Sequence, residues 1–141
     1  MGSDIEEQVK NFLETANWTK GDLPPALDIE VEAEIQEYGK DKLVAMTLYW
    51  LEKIEETMRI RPIIYTRENI RNKYLNDSRL KKYDFWIARY RDSGPSNFDW
   101  HFWQLSEEGV LNGYTDGRID IDLFKGDYTA FKKYLNVNDS I

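Results

Sequence analysis

Apolar residues along this chain recur with two periods, and the switches between them divide it into helices and strands. Over residues 5–16, Ile5, Val9, Phe12, Leu13 and Ala16 fall on one helical stripe, and Ser3 and Glu6 have the spacing of a capping box. Leu43, Met46, Trp50, Leu51, Ile54 and Met58 repeat at intervals of three and four over 40–59. That pattern predicts a long amphipathic helix with Trp50 in the core. Shorter runs read as strands: "ALDIE" (26–30), "RPIIYT" (61–66), "YDFWIARY" (83–90), "HFWQLS" (101–106) and "RIDIDLF" (118–124). "RENIRNKYL" (67–75) and "DYTAFKKYL" (127–135) are expected to be helical, the second with Asp127 as its N-cap. "RDSGPSNFDW" and "EEGVLNGYTDG" carry the turn residues of loops.

Strands joined by helices predict a parallel α/β sheet. In such sheets functional groups collect at the C-terminal ends of the strands. This chain follows that polarity. Its strands open on apolar residues, while Asp28, Glu30, Tyr65, Tyr90, Gln104 and Asp120 stand toward the trailing ends. Asp28 and Glu30 are two apart and so share one face of their strand, where like charges repel. The repulsion disfavours ionising both and raises the pKa of one. Glu30, nearer the strand end, is expected to be the raised one. Asp122 also alternates with apolar neighbours but is expected in a loop or cap. His101 begins its strand, away from the functional ends, and is expected to be structural. Trp86 and Trp103 suit either a core or a cleft.

Composition narrows the chemistry. The 141 residues fit one domain, with no Gly/Ser- or Pro-rich linker dividing them. A formal net charge of −7 argues against nucleic acid as a partner. With no cysteine and only one histidine, a disulfide framework and the usual zinc sites are excluded, and no metal or cofactor is expected. No apolar run approaches the ~20 residues of a membrane span, and acidic residues stand where a signal peptide would be basic. The means that remain are carboxylates, amides and an ample set of aromatics.

"LPPALDIE", "RPIIYT", "FWIARY" and "HFWQLSEEGVLNGYTDGRIDIDLFKG" together resemble the successive strand signatures of glycoside hydrolase family 25, the Chalaropsis-type lysozymes. The resemblance runs from about residue 8 to 135 and keeps the family's order of motifs. It implies an α/β, TIM-like (βα) barrel, and hydrolysis of the β-1,4 bond between N-acetylmuramic acid and N-acetylglucosamine in bacterial peptidoglycan. It also implies an extracellular or cell-envelope place of action. Glu30 would be the proton donor, with Asp28 and Asp120 as assisting carboxylates and Tyr65, Tyr90, Trp103 and Gln104 lining the substrate cleft. The family's first strand, with a further Asp in a D-x-S context, has no counterpart here. The chain is therefore expected to correspond to the C-terminal five strands of an eight-stranded barrel, a partial catalytic domain over 1–141. A chain or segment supplying the other strands is an expected partner. The alternative is a remnant that binds cell-wall saccharide without turnover.

Overall fold

The computed structural model describes residues 4–137, so the Ser3 half of the expected capping box lies outside the described residues. Asp4 caps the first helix instead: its carboxylate accepts the Glu6 N–H at 3.0 Å, opening α1 (Ile5–Thr15). Strand β1 (Ala26–Ile29) follows, then α2 (Glu32–Tyr38) and α3 (Lys40–Met58). Gly39, at φ +73°, separates these two helices in a conformation that favours glycine. The chain continues through β2 (Ile63–Arg67), α4 (Glu68–Tyr74), a 3-10 turn (Ser78–Leu80), β3 (Phe85–Ala88), β4 (Phe102–Gly109), β5 (Ile119–Phe124) and α5 (Tyr128–Val137). Asp127 accepts the Ala130 N–H at 2.8 Å, as expected of a cap.

The five strands form one sheet in the order β1-β2-β3-β4-β5, and β1 to β4 are parallel. Leu27 and Ile29 of β1, Ile64 of β2 and Phe85 and Ile87 of β3 are buried in one cluster with Leu43, Val44, Trp50, Leu51 and Ile54 of α3. The helical stripe read from the sequence is thus the stripe that covers the sheet, Trp50 included. Thr66 is a polar member of this buried layer, and its hydroxyl donates to the Ile29 carbonyl at 2.6 Å, pinning the end of β1 to β2.

Strand β5 departs from the expected parallel arrangement: it runs antiparallel to β4. No helix separates the two strands, and a parallel return needs a crossover of a dozen or more residues. Strand β4 also runs on to Gly109, into the stretch expected to be loop, because it pairs there with the start of β5. The ladder is irregular at Ser106 and Gly109. A Cβ on Gly109 would lie 2.5 Å from the Ile121 side chain and 2.7 Å from the Ile119 carbonyl, so the close approach requires glycine.

His101 sits before β4, its Nδ1 3.3 Å from Asp84 Oδ1, and Tyr134 of α5 donates to Asp84 Oδ2 at 2.9 Å. This cluster ties α5 to the end of the sheet where the parallel strands begin.

Candidate active site

Side chains alternate across each strand, and the face away from α3 carries Asp28, Tyr65, Arg67, Trp86, Gln104 and Asp122. Register makes neighbours of Asp28 and Tyr65, of Tyr65 and Trp86, and of Gln104 and Asp122. Glu30 follows β1 directly. Asp120, the second residue of β5, reaches the same end because an antiparallel strand starts where its parallel neighbours finish. Asp120 is therefore not at the expected trailing end of its own strand; it stands near the start of β5, and the reversal of that strand brings it to the same end of the sheet. Asp28, Glu30, Tyr65, Trp86, Gln104 and Asp120 line one cavity of about 310 Å³.

Gln104, only 4% exposed, is the fixed point of this cavity. Its Oε1 accepts the Tyr65 hydroxyl at 2.7 Å and the Tyr90 hydroxyl at 2.9 Å. Held by its carbonyl, the amide keeps its NH₂ end for a ligand. Tyr90 lies two residues beyond β3 rather than within it and is exposed. Tyr65 packs edge-on against Trp86, with ring centroids 4.9 Å apart. Burial first, then the charge of Glu30, pushes the Tyr65 hydroxyl pKa upward, so it stays a donor.

The carboxylates are unlike one another. Asp28 is exposed as a residue, but partial desolvation of its carboxyl first, then the charge of Glu30 beside it, raises its pKa. Glu30 instead accepts from Arg67, with Nε 3.1 Å from Oε2. The upward shift is thus seen on Asp28, while the strand that follows brings a guanidinium to Glu30. The motif "YTR" held the signal for that contact: Arg67 is two residues from Tyr65 and on its face.

Two further side chains depart from expectation. Trp103 pairs with Ile87 and Leu123 on the opposite face of the sheet, and its Nε1 donates to the Arg89 carbonyl at 2.8 Å. Alternation with Gln104 removes it from the cleft, where the sequence reading had put both. Asp122 lies within β5 on the cleft face, not in a loop or cap, and accepts from Trp86 Nε1 at 2.7 Å. Burial raises its pKa, and the Trp86 bond opposes that rise. The alternation of "RIDIDLF" is the signal that places Asp120 and Asp122 together. Among the described residues, no group of three or more His, Cys, Asp or Glu side chains is arranged to hold a metal ion, and no helix is long and apolar enough to cross a membrane.

A helix-covered, mostly parallel sheet with three carboxylates gathered past its parallel strands defines an α/β protein of the kind whose chemistry sits at that end. The model of glycosyl hydrolases family 25 matches residues 1–114, and the chain belongs to that family. Asp120 lies beyond the matched stretch. Among curated relatives, the uncharacterized protein YegX of Escherichia coli K12 is 28% identical over 131 residues, covering 92% of this chain and 46% of its own length. The chain therefore spans about half of the curated relatives it matches. A family 25 glycosyl hydrolase from Bacillus anthracis superposes with a TM-score of 0.81 at 26% identity, covering 94% of this chain and 64% of that one. A muramidase from Acremonium alcalophilum gives 0.78 at 25%, covering 95% and 67%. A lysozyme from Streptomyces coelicolor shares the fold, at 21% identity and a TM-score of 0.82, with 96% and 68% covered.

Proposed function

We propose that this chain carries the acid–base half of a muramidase site acting on peptidoglycan. The observation that supports it is the convergence of Asp28, Glu30 and Asp120 on one cavity with Tyr65, Trp86 and Gln104. Glu30 as the acid delivers its proton to the glycosidic oxygen between N-acetylmuramic acid and N-acetylglucosamine, and the C1–O bond breaks as positive charge grows on C1. The sugar's own acetamido oxygen closes on C1, oriented by Asp28 with Asp120 stabilising the charge. Water then opens the ring and returns a proton to Glu30. Trp86 and Tyr65 offer aromatic faces to pyranose rings, and Gln104 hydrogen-bonds to hydroxyl or acetamide.

Cell-wall substrate puts the work outside the cytoplasm. A polypeptide segment beyond these 141 residues is part of the same reading, because β1 pairs only with β2 among the described residues. An apolar cavity of about 300 Å³, lined by Ile63, Trp86, Phe102 and Phe124 among others, lies open on the same face. The test is release of reducing ends from purified peptidoglycan by the chain and by Glu30→Gln. The amide keeps shape but delivers no proton, and general acid catalysis is worth about 10²–10⁴-fold. A loss under about tenfold removes Glu30 from the donor role. One contact favours a second reading, saccharide binding without turnover: Arg67 occupies the Glu30 oxygen. Binding of peptidoglycan with no release by the chain would select it.

A further inference from the structure

The cleft face is not uniformly acidic. Beside the carboxylate cavity lies another of about 470 Å³, whose charged walls are Arg67, Arg89 and Arg91 against Glu68 and Glu107. Tyr90 forms the boundary: it lines this second cavity and donates to Gln104 in the first. Arg89 is committed, paired with Glu68 and donating from Nε to the Ser93 carbonyl at 2.8 Å. Arg67 is not. Its side chain is 61% exposed, and its one carboxylate contact is Glu30. Its neighbour on β3 is Ala88, which has no side chain with which to hold a guanidinium. Arg91 is exposed and has no carboxylate partner among the described residues.

An acidic group entering the cleft is repelled by Asp28, Glu30 and Asp120 and, among the described residues lining the two cavities, meets cations on the Tyr90 side. We propose that Arg67 is a positioning residue that reads the free lactyl carboxylate of muramic acid, present where no stem peptide is attached: seated between Arg67 and Arg91, that carboxylate takes the guanidinium from Glu30 and fixes which way the glycan lies. This inference rests on the muramidase reading and adds to it a residue for the charge of the substrate. While Arg67 Nε donates to Glu30 Oε2, that oxygen is not the one that carries a proton. Transfer of the guanidinium to the substrate frees it, and a planar fork meeting a carboxylate supplies both strength and direction. A neutral glycan leaves the Arg67–Glu30 pair intact, so discrimination against uncharged chito-oligosaccharides and release of Glu30 have one cause.

The test is calorimetric titration at low ionic strength of the wild-type chain, Arg67→Met and Arg67→Lys. The ligands are the N-acetylglucosamine–N-acetylmuramic acid disaccharide and chitobiose, which lacks the carboxylate. One charge-assisted hydrogen bond is worth about tenfold or more, so the wild type should favour the acidic sugar by at least that ratio. The ratio should fall to about one in Arg67→Met and recover in part in Arg67→Lys, which restores charge without the fork. A substitution this exposed should leave the fold intact. A wild-type ratio near one, or a ratio that survives Arg67→Met, overturns the role of Arg67 and leaves the muramidase reading standing. Failure of the wild type to bind either sugar overturns both.

Discussion

Replacing Gln104 by methionine keeps the length of the side chain and removes the acceptor that two tyrosines share. The two bonds are not equal. Tyr90 is 48% exposed, and its hydroxyl can turn to water; Tyr65 is packed against Trp86 and half-buried, so its hydroxyl has less access to water. A net hydrogen bond contributes about 0.5–1.5 kcal/mol, and a stranded donor costs about 1–3 kcal/mol. Gln104→Met should therefore cost about 2 kcal/mol, and Tyr65→Phe about 1 kcal/mol, since Gln104 keeps Tyr90 as a partner. The double variant should lose no more than Gln104→Met alone, a coupling of about 1 kcal/mol. The same cycle built on Tyr90→Phe should couple by less than about 0.5 kcal/mol. Urea unfolding at constant m-value reads these differences. In a thermal melt of 141 residues each kcal/mol appears as about 4 °C. Additive losses in the Tyr65 cycle would refute the reasoning: the amide would not be holding the hydroxyl, and the cleft would not be preorganised around Gln104.

Asp28 holds its proton more tightly in the fold than in the unfolded chain, so its contribution favours folding in acid and is lost as pH climbs past the ordinary 3.8. Asp28→Asn should accordingly melt above the wild type at pH 7 and not at pH 3, and equal melting at both would contradict the upward shift of Asp28. Trp86→Phe removes the donor that opposes the upward shift of Asp122. Its carboxyl, followed by carbon NMR, should titrate higher than in the wild type, and an unmoved titration would mean that the indole bond does not stabilise the charge.

The helix side of this molecule was legible in the sequence because one rule governs it. A stripe at intervals of three and four must cover the apolar face of a sheet, and Leu43, Trp50, Leu51 and Ile54 do so against Leu27, Ile29, Ile64 and Ile87. The carboxylate set was legible for a related reason, since alternation puts Asp28, Tyr65 and Gln104 on the face those residues leave free. What could not be read was pairing. Nothing local to "RIDIDLF" says that β5 reverses; that follows from the lack of a helix after β4. The same alternation, applied through "HFWQLS", separates Trp103 from Gln104, and the sequence reading erred by keeping both in the cleft. Arg67 was missed because its chemistry depends on a neighbour 37 positions away in sequence.

That last contact changes what the D-x-E strand means. Two carboxylates on one strand face repel each other, and the usual resolution is to leave one of them protonated. Here the sheet offers a second resolution, a cation from the next strand, and it is given to Glu30, while the Asp28 carboxyl, partly desolvated and beside Glu30, is the one whose pKa rises. In this state Arg67 occupies one oxygen of Glu30, Oε2. On the proposed reading, a carboxylate in the adjoining cavity with Arg91 draws Arg67 off that oxygen. The wall that holds the cation and the wall that holds the carboxylates are joined through Tyr90 and Gln104, so on that reading the charge of a substrate reaches Glu30 through the same few side chains.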